Sequence, residues 1–265
     1  MRAVQSYLAI PLLLLGVVAY GQTSDLAIIE NELLTVGFDK ARGGLADVFT
    51  PDESGDFMPT VPTARLLWEL HFRSEEGEEL RMDNSQAPAP QVTQAGASLT
   101  LKWKDLALAH GATALDVTAR CELPSAKDTA LLRLWVDNRS VRWGLWDILF
   151  PVIRGLGEAG TTDVAMGRGT WGRLFEDPRD QIQGDYPSHS LPMQFILLQN
   201  VDHGCYLAAQ DPEARFKTFA IQVGGEFRVT TRVNEMGIPG NDWAAPYPFP
   251  HGDGSLQRLH PLLRE

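Results

Sequence analysis

The sequence predicts an all-β protein, a large antiparallel β-sandwich, and three observations lead there. Apolar and polar residues alternate with a period of two along most of the chain, most plainly where Leu115, Val117, Ala119 and Cys121 interleave with Asp116, Thr118 and Arg120. Such alternation puts one set of side chains on each face of a strand. Turn residues recur between these runs, supplied by 24 Gly and 17 Pro. No stretch sustains an apolar period of about 3.6 residues over three turns, which excludes a helical scaffold.

The first 21 residues stand apart from this pattern. They hold Arg2, an apolar run from Leu8 to Val18 interrupted by Pro11, and Ala19-Tyr20-Gly21 at the spacing a signal peptidase reads. Residues 1–21 are therefore expected to be a cleaved signal peptide, leaving a secreted or periplasmic protein. The run is shorter than the roughly 20 apolar residues that cross a membrane. About 244 of the 265 residues then remain, enough for one large β domain over residues 22–240.

The expected strands follow in order. Leu26–Glu30 and Leu33–Asp39 turn on Asn31-Glu32, and Gly43-Gly44 leads into Leu45–Thr50. Arg65–Arg73 is next, and Arg81–Gln94, rich in Asn, Ser, Gln, Ala and Pro, reads as an exposed loop or a mobile edge. Ser98–Lys104, Ala114–Leu123 and Ala130–Asp137 follow. Trp143–Ile153 is the most apolar run of the mature chain and is expected to cross the core with Trp143 and Trp146 packed, while Pro151 marks an edge or a bulge. Met166–Pro192 shows weak strand signals over roughly 27 residues, against about four to six in most connections, so it reads as a functional loop. Met193–Gln199, Cys205–Ala209 and Arg215–Val223 then form a meander with turns at Asn200–Gly204 and Asp211-Pro212, and Phe227–Val233 follows Gly224-Gly225.

The stretch Tyr186–Val223 also carries a distinctive residue set: Tyr186-Pro187, Met193-Gln194-Phe195, Gly204-Cys205-Tyr206-Leu207-Ala208-Ala209, Asp211-Pro212 and Lys217. It resembles the N-terminal domain of large secreted glycoside hydrolases, whose fold is similar to galactose mutarotase. The opening Ile29–Asp39 with Gly43-Gly44-Leu45 adds to the likeness. The resemblance implies a mutarotase-like supersandwich followed, in such hydrolases, by a catalytic (β/α)₈ barrel. A barrel alone takes about 250 residues, and none follows here. The expectation is an accessory, carbohydrate-associated domain, inactive as a hydrolase by itself, with residues 241–265 a truncated linker toward the missing barrel.

Candidate carbohydrate-binding residues come from the loop and from the signature. Trp171, Arg173, Tyr186 and His189 offer rings for the CH faces of a sugar and polar groups for its hydroxyls. Trp171 could equally anchor the loop on the sheet. Gln194, Asp211 and Lys217 would line the face that meets the barrel, or serve structure, with Asp211-Pro212 fixing a turn and Lys217 pairing with Asp211. Glycoside hydrolysis needs two carboxylates about 5–9.5 Å apart, and among 34 acidic residues spacing selects no pair. Mutarotation would use a His with a carboxylate base; of the six His, His189 alone lies in the signature loop, and no epimerase pattern surrounds any of them.

Net charge of −11 and a pI near 5.0 speak against nucleic acid and anionic membranes as partners, since phosphate binding needs clustered Lys and Arg. A carbohydrate, in particular a neutral polysaccharide, suits such a chain. Cys121 and Cys205 either pair in an oxidising compartment or stay as two buried thiols. No phosphate loop, nucleophile elbow or HExxH motif occurs, so no cofactor is implied. Asp177, Asp180 and Asp185 offer oxygen ligands for a calcium ion, against the simpler reading of a solvated loop. Two other functions compete with the accessory domain. A self-contained epimerase or glycosidase would need a His and carboxylates converging in one cleft, and an interaction sandwich would have no sugar site at all.

Overall fold

A computed structural model describes residues 25–49, 65–108, 113–156, 163–199, 204–222, 225–244 and 255–258. The expected signal peptide, the Asn200–His203 turn and His110, His203, His251 and His260 lie outside the described residues. The strands are β1 (Leu26–Glu30), β2 (Thr35–Asp39), β3 (Leu45–Phe49), β4 (Glu69–Ser74), β5 (Glu79–Asp83), β6 (Gln91–Ala95), β7 (Ser98–Ala107), β8 (Thr113–Glu122), β9 (Thr129–Asn138) and β10 (Trp143–Ile153). They continue with β11 (Asp163–Arg168), β12 (Trp171–Phe175), β13 (Ile182–Tyr186), β14 (Phe195–Gln199), β15 (Gly204–Ala208), β16 (Lys217–Gln222), β17 (Glu226–Arg232), β18 (Trp243–Ala244) and β19 (Ser255–Arg258). The all-β expectation holds.

Three sheets form: β1-β2-β3, a six-stranded sheet β13-β16-β17-β10-β4-β5, and a ten-stranded sheet β12-β11-β14-β15-β19-β9-β8-β7-β6, with β18 also on β9. One apolar cluster fills the space between the two large sheets. The six-stranded sheet gives it Leu70, Phe72, Leu145, Phe219 and Phe227, and the ten-stranded sheet Leu101, Leu115, Leu134, Ile196 and Leu207. Each such side chain contributes about 1.5–3 kcal/mol when fully buried. At one end Trp68 and Trp103 meet edge to face, with ring centroids 5.4 Å apart, the geometry that aromatic quadrupoles favour.

The structure sharpens three sequence expectations. Of the two readings of Arg81–Gln94, a loop or an edge, the edge applies to its end: β5 ends inside the segment and the edge strand β6 begins at Gln91. Every side chain of β6 is exposed, so this edge strand has no buried face to leave a period-two signal. Met166–Pro192 likewise holds the end of β11, all of β12 and all of β13, two of them sheet edges paired only on one side. β12, like β6, is made by pairing of the backbone, while β11 and β13 also bury Val164, Met166 and Ile182 in the core. Strand pairing also continues past residue 240, where the sequence reads as linker. β18 and β19 both bond to β9, and β19 fills the gap between β9 and β15, satisfying backbone groups that would otherwise lack partners.

β10 crosses the middle of the six-stranded sheet, and it is irregular in two places. Its register against β17 shifts between Leu149 and Val152, so Pro151 sits at a bulge of a central strand and not at an edge. Against β4 the register shifts between Leu145 and Asp147, at Trp146. A neighbouring turn locks this second bulge. Asn241 accepts from the Leu145 amide through Oδ1 at 2.7 Å and donates Nδ2 to the Leu145 carbonyl at 3.0 Å, and the Gly237 amide donates to the same carbonyl at 2.7 Å. The approach is so close that a Cβ on Gly144 would lie 2.1 Å from the Gly237 carbonyl carbon. Gly144→Ala is therefore expected to destabilise the fold by about 1–3 kcal/mol, read as a lower denaturation midpoint with an unchanged slope; an unaltered midpoint would show that the turn does not bear on β10.

Candidate functional site

The six-stranded sheet turns one face to the core and an ionisable face away from it. Residues directly opposite across an antiparallel pair share a face, so the register sets Arg232, Asp147, His71 and Arg81 in one row across β17, β10, β4 and β5. The adjacent row runs from Asp185 through Thr218, Thr230, Leu149 and Glu69 to Asp83. A cavity of about 180 Å³ opens beside the first row, lined by His71, Arg73, Glu79, Arg81, Trp146 and Asp147 among others. It is small against the roughly 300–1,000 Å³ of drug-sized pockets.

Glu69 and His71 are two residues apart on β4, so their side chains emerge together, with His71 Nε2 2.6 Å from Glu69 Oε1. This hydrogen bond holds the Glu69 carboxyl below its usual range, against the opposing effect of burial. Asp147 behaves in the opposite way. Burial pushes its carboxyl above the ordinary range, and Arg232, His71 and Arg73 only partly offset that. Its Oδ1 is buried with no hydrogen-bond donor among the described residues, and Arg232 Nε lies at the ion-pair limit of 4.0 Å. Arg73 lies over the Trp146 ring, 3.8 Å from its centroid, and donates to Glu79 at 2.6 Å. Trp143 is packed in the core as expected, whereas Trp146 is half-buried at the cavity, covered by Arg73. Arg81 is exposed and has no ion pair among the described residues.

The residues singled out from the sequence fall into two other places. Tyr186, Gln194, Asp211 and Lys217 converge in the interior. Lys217 is fully buried and its Nζ donates to Asp211 Oδ2 at 2.7 Å, to the Arg215 carbonyl at 2.7 Å and to Gln194 Oε1 at 3.1 Å, with the Tyr186 ring centroid 5.2 Å away. Asp211 also accepts from the Glu213 and Arg215 amides at 2.9 and 2.8 Å, and its carbonyl accepts from Gln194 Nε2 at 2.7 Å. All three ammonium protons are used, so this cluster is a structural clasp. Burial lowers the Lys217 pKa, which the Asp211 carboxylate opposes.

Trp171, Arg173 and His189 gather instead at the β11–β12 hairpin. Trp171 is 81% exposed, Arg173 lies over Phe175 with its guanidinium carbon 4.5 Å from the ring centroid, and the exposed His189 accepts the Gly169 amide on its carbonyl at 2.7 Å. Trp171 therefore does not anchor the segment on the sheet. Cys121 and Cys205 are separate buried thiols; burial pushes the Cys121 pKa far up and that of Cys205 to about 12. Among the described residues no group of three His, Cys, Asp or Glu is placed to hold a metal ion.

Glu69, His71 and Arg73 are not singled out from the sequence, although their signal is visible in the order of residues. Those residues alternate with Leu70 and Phe72, which gives one strand a wholly ionisable face. Asp147 leaves no such trace, because it stands inside an apolar run.

No family model and no curated protein matches the sequence. Solved structures do match in fold. A galactose mutarotase related enzyme from Lactobacillus acidophilus aligns with a TM-score of 0.54 at 11% identity, over 89% of this chain and 97% of that one. An α-galactosidase from Lactobacillus brevis gives 0.56 at 12% identity, over 88% of this chain and 39% of that one. A glycosyl hydrolase family 38 protein from Enterococcus faecalis gives 0.53 at 13%, over 88% and 30%. These likenesses define the class: the chain has a galactose-mutarotase-like β-sandwich fold. That sandwich accounts for nearly all of one neighbour and for less than half of two much longer glycosidase chains.

Two outcomes follow. Lys217→Met leaves the Asp211 charge buried and is expected to destabilise by about 3–5 kcal/mol; adding Asp211→Asn, which removes that charge and keeps an acceptor for one of the two backbone amides, should recover part of that loss in chemical denaturation, and no recovery would refute the clasp. For Asp147, a raised folded pKa means that ionisation destabilises the folded state above that pKa, a penalty absent below the ordinary value of 3.8. Asp147→Asn should then stabilise the protein at pH ~7 and give no advantage at pH ~3.

Proposed function

We propose that this chain is a carbohydrate-binding sandwich domain of an exported glycoside hydrolase, taking a sugar on the ionisable face of its six-stranded sheet beside a separate catalytic barrel. The observation that carries this is Asp147 Oδ1. Among the described residues it is a buried acceptor without a donor, at a cavity that the exposed Arg81, with no ion pair among those residues, also lines. Adjacent hydroxyl groups of a sugar suit both groups, one donating to the carboxylate and the other accepting from the guanidinium. The fold neighbours support an accessory role, since two of them carry the sandwich as a minor part of a glycosidase chain.

A second reading is a self-contained aldose epimerase, favoured by His71 and Asp147 side by side at one cavity, with Glu69 bonded to the imidazole. Ring opening at the anomeric carbon needs a base for the O1 proton and an acid for the ring oxygen. Asp147 and His71 stand as neighbours in the same row, and Glu69 orients the imidazole.

Titration calorimetry with galactose, glucose and short neutral oligosaccharides tests the first reading, and polarimetry of freshly dissolved α-galactose tests the second. Wild-type binding that Asp147→Ala weakens about tenfold, the scale of one charge-assisted hydrogen bond, with no faster mutarotation, is the expected outcome. Acceleration of mutarotation lost in His71→Ala would transfer the assignment to the epimerase. Absence of binding to any of these sugars would overturn both.

A further inference from the structure

The β11–β12 hairpin carries a second surface, remote in the sheet order from the cavity and not needed by it. Arg168 and Trp171 are Cα partners flanking the two-residue turn Gly169-Thr170, and Arg173 follows Trp171 by two positions. All three therefore stand on one face of the hairpin. Trp171 is 81% exposed there, and Arg168 and Arg173 are exposed too. Neither arginine has a carboxylate partner among the described residues, while Arg173 only rests on the Phe175 ring. The segment Met166–Leu174 contains these two arginines and no Asp or Glu, in a chain of net charge −11. The acids nearest in sequence lie away from the turn: Asp163 accepts the Asp177 amide, Asp177 pairs with Arg179, and Glu176 and Asp180 are exposed beyond β12. His189, whose ring is 3.2 Å from where a Gly169 Cβ would sit, adds an imidazole at the turn.

We infer that this hairpin is a binding site for an anionic glycan, with the Trp171 indole stacked on a sugar ring and Arg168 and Arg173 paired with its carboxylate or sulfate groups. An exposed indole between two uncommitted guanidinia matches that chemistry in both parts. The apolar face of a pyranose covers the ring, and a planar guanidinium pairs a carboxylate through two parallel hydrogen bonds. The net acidity of the chain works against polyanions in general, so recognition rests on this local arrangement.

The probe is a short oligogalacturonate, compared with its carboxyl-reduced neutral counterpart, in titration calorimetry and affinity electrophoresis on the whole chain. Wild type should bind the uronate in a salt-dependent way and bind the neutral oligomer at least tenfold more weakly. The doubly substituted Arg168→Gln, Arg173→Gln protein and Trp171→Ala should each lose about tenfold or more in uronate affinity. Asp147→Ala should leave it unchanged, which separates this site from the cavity on the six-stranded sheet. All the hairpin side chains to be replaced are exposed, so the variants retain the fold, checked by their denaturation midpoints. No uronate binding by wild type, unchanged affinity in the hairpin variants, or equal affinity for duplex DNA or for anionic phospholipid vesicles would each overturn the proposal.

Discussion

The buried ammonium of Lys217 is the interaction on which the arrangement of the two large sheets depends. It rises from β16 in the six-stranded sheet and reaches Gln194, the residue that leads into β14 of the ten-stranded sheet, and Asp211 in the connection between β15 and β16. A lysine in that position has no water to fall back on, so each of its protons must find an oxygen or the fold loses several kcal/mol. The polypeptide meets this by coiling Asp211-Pro212 and Arg215 around it. The Asp211 carboxylate then does two things at once, neutralising the ammonium and capping two backbone amides. Removal of the lysine would strand both the charge and the turn.

The second constraint is the backbone contact between the turn after β17 and the bulge in β10. Glycine at 144 and 237 lets the chains touch, and Asn241 replaces the ladder hydrogen bonds that the bulge gives up. The bulge changes which residues of β10 face outward. It carries Asp147 into register with His71 and Arg232 and leaves Trp146 under Arg73. The polar cavity is thus a product of irregular pairing in a central strand, and its unpaired carboxylate oxygen is tolerated where a flat strand would have placed an apolar side chain. Bulges near functional sites commonly act in this way, re-aiming one side chain at a local disruption of the ladder.

How much of this could be read from the sequence depends on what each feature leaves in the order of residues. Strands with a buried face write it as a period of two, so β7 to β10 and β14 to β17 were legible. Edge strands write almost nothing: β6 is exposed throughout, and β12 was hidden in a glycine- and arginine-rich segment that resembled a loop. The Asp211–Lys217 pair was legible because a turn before proline and a lysine six residues on form a local unit. Its burial was not, since that depends on Gln194 and Tyr186 arriving from other strands. The candidate cavity was the least legible, because Glu69, His71 and Asp147 lie on two strands whose pairing is shifted by a bulge that only Gly144, inside an apolar run, announces.

Those differences bear on how the molecule would handle a glycan. On the proposed reading, the cavity on the six-stranded sheet, with Asp147 and His71 on adjacent strands inside the sheet, would discriminate by hydrogen bonding to individual hydroxyls. The β11–β12 hairpin is an edge element with few neighbours, and an exposed indole between arginines suits a repeating polymer better than a single ring in one fixed pose. A sandwich used for adhesion alone would need only the second surface. A carboxylate whose Oδ1 is buried with no donor among the described residues, beside a histidine–glutamate pair, is held at a cost in stability that simple adhesion would not require, and that cost is the strongest physical reason to look for chemistry or fine discrimination on the six-stranded sheet.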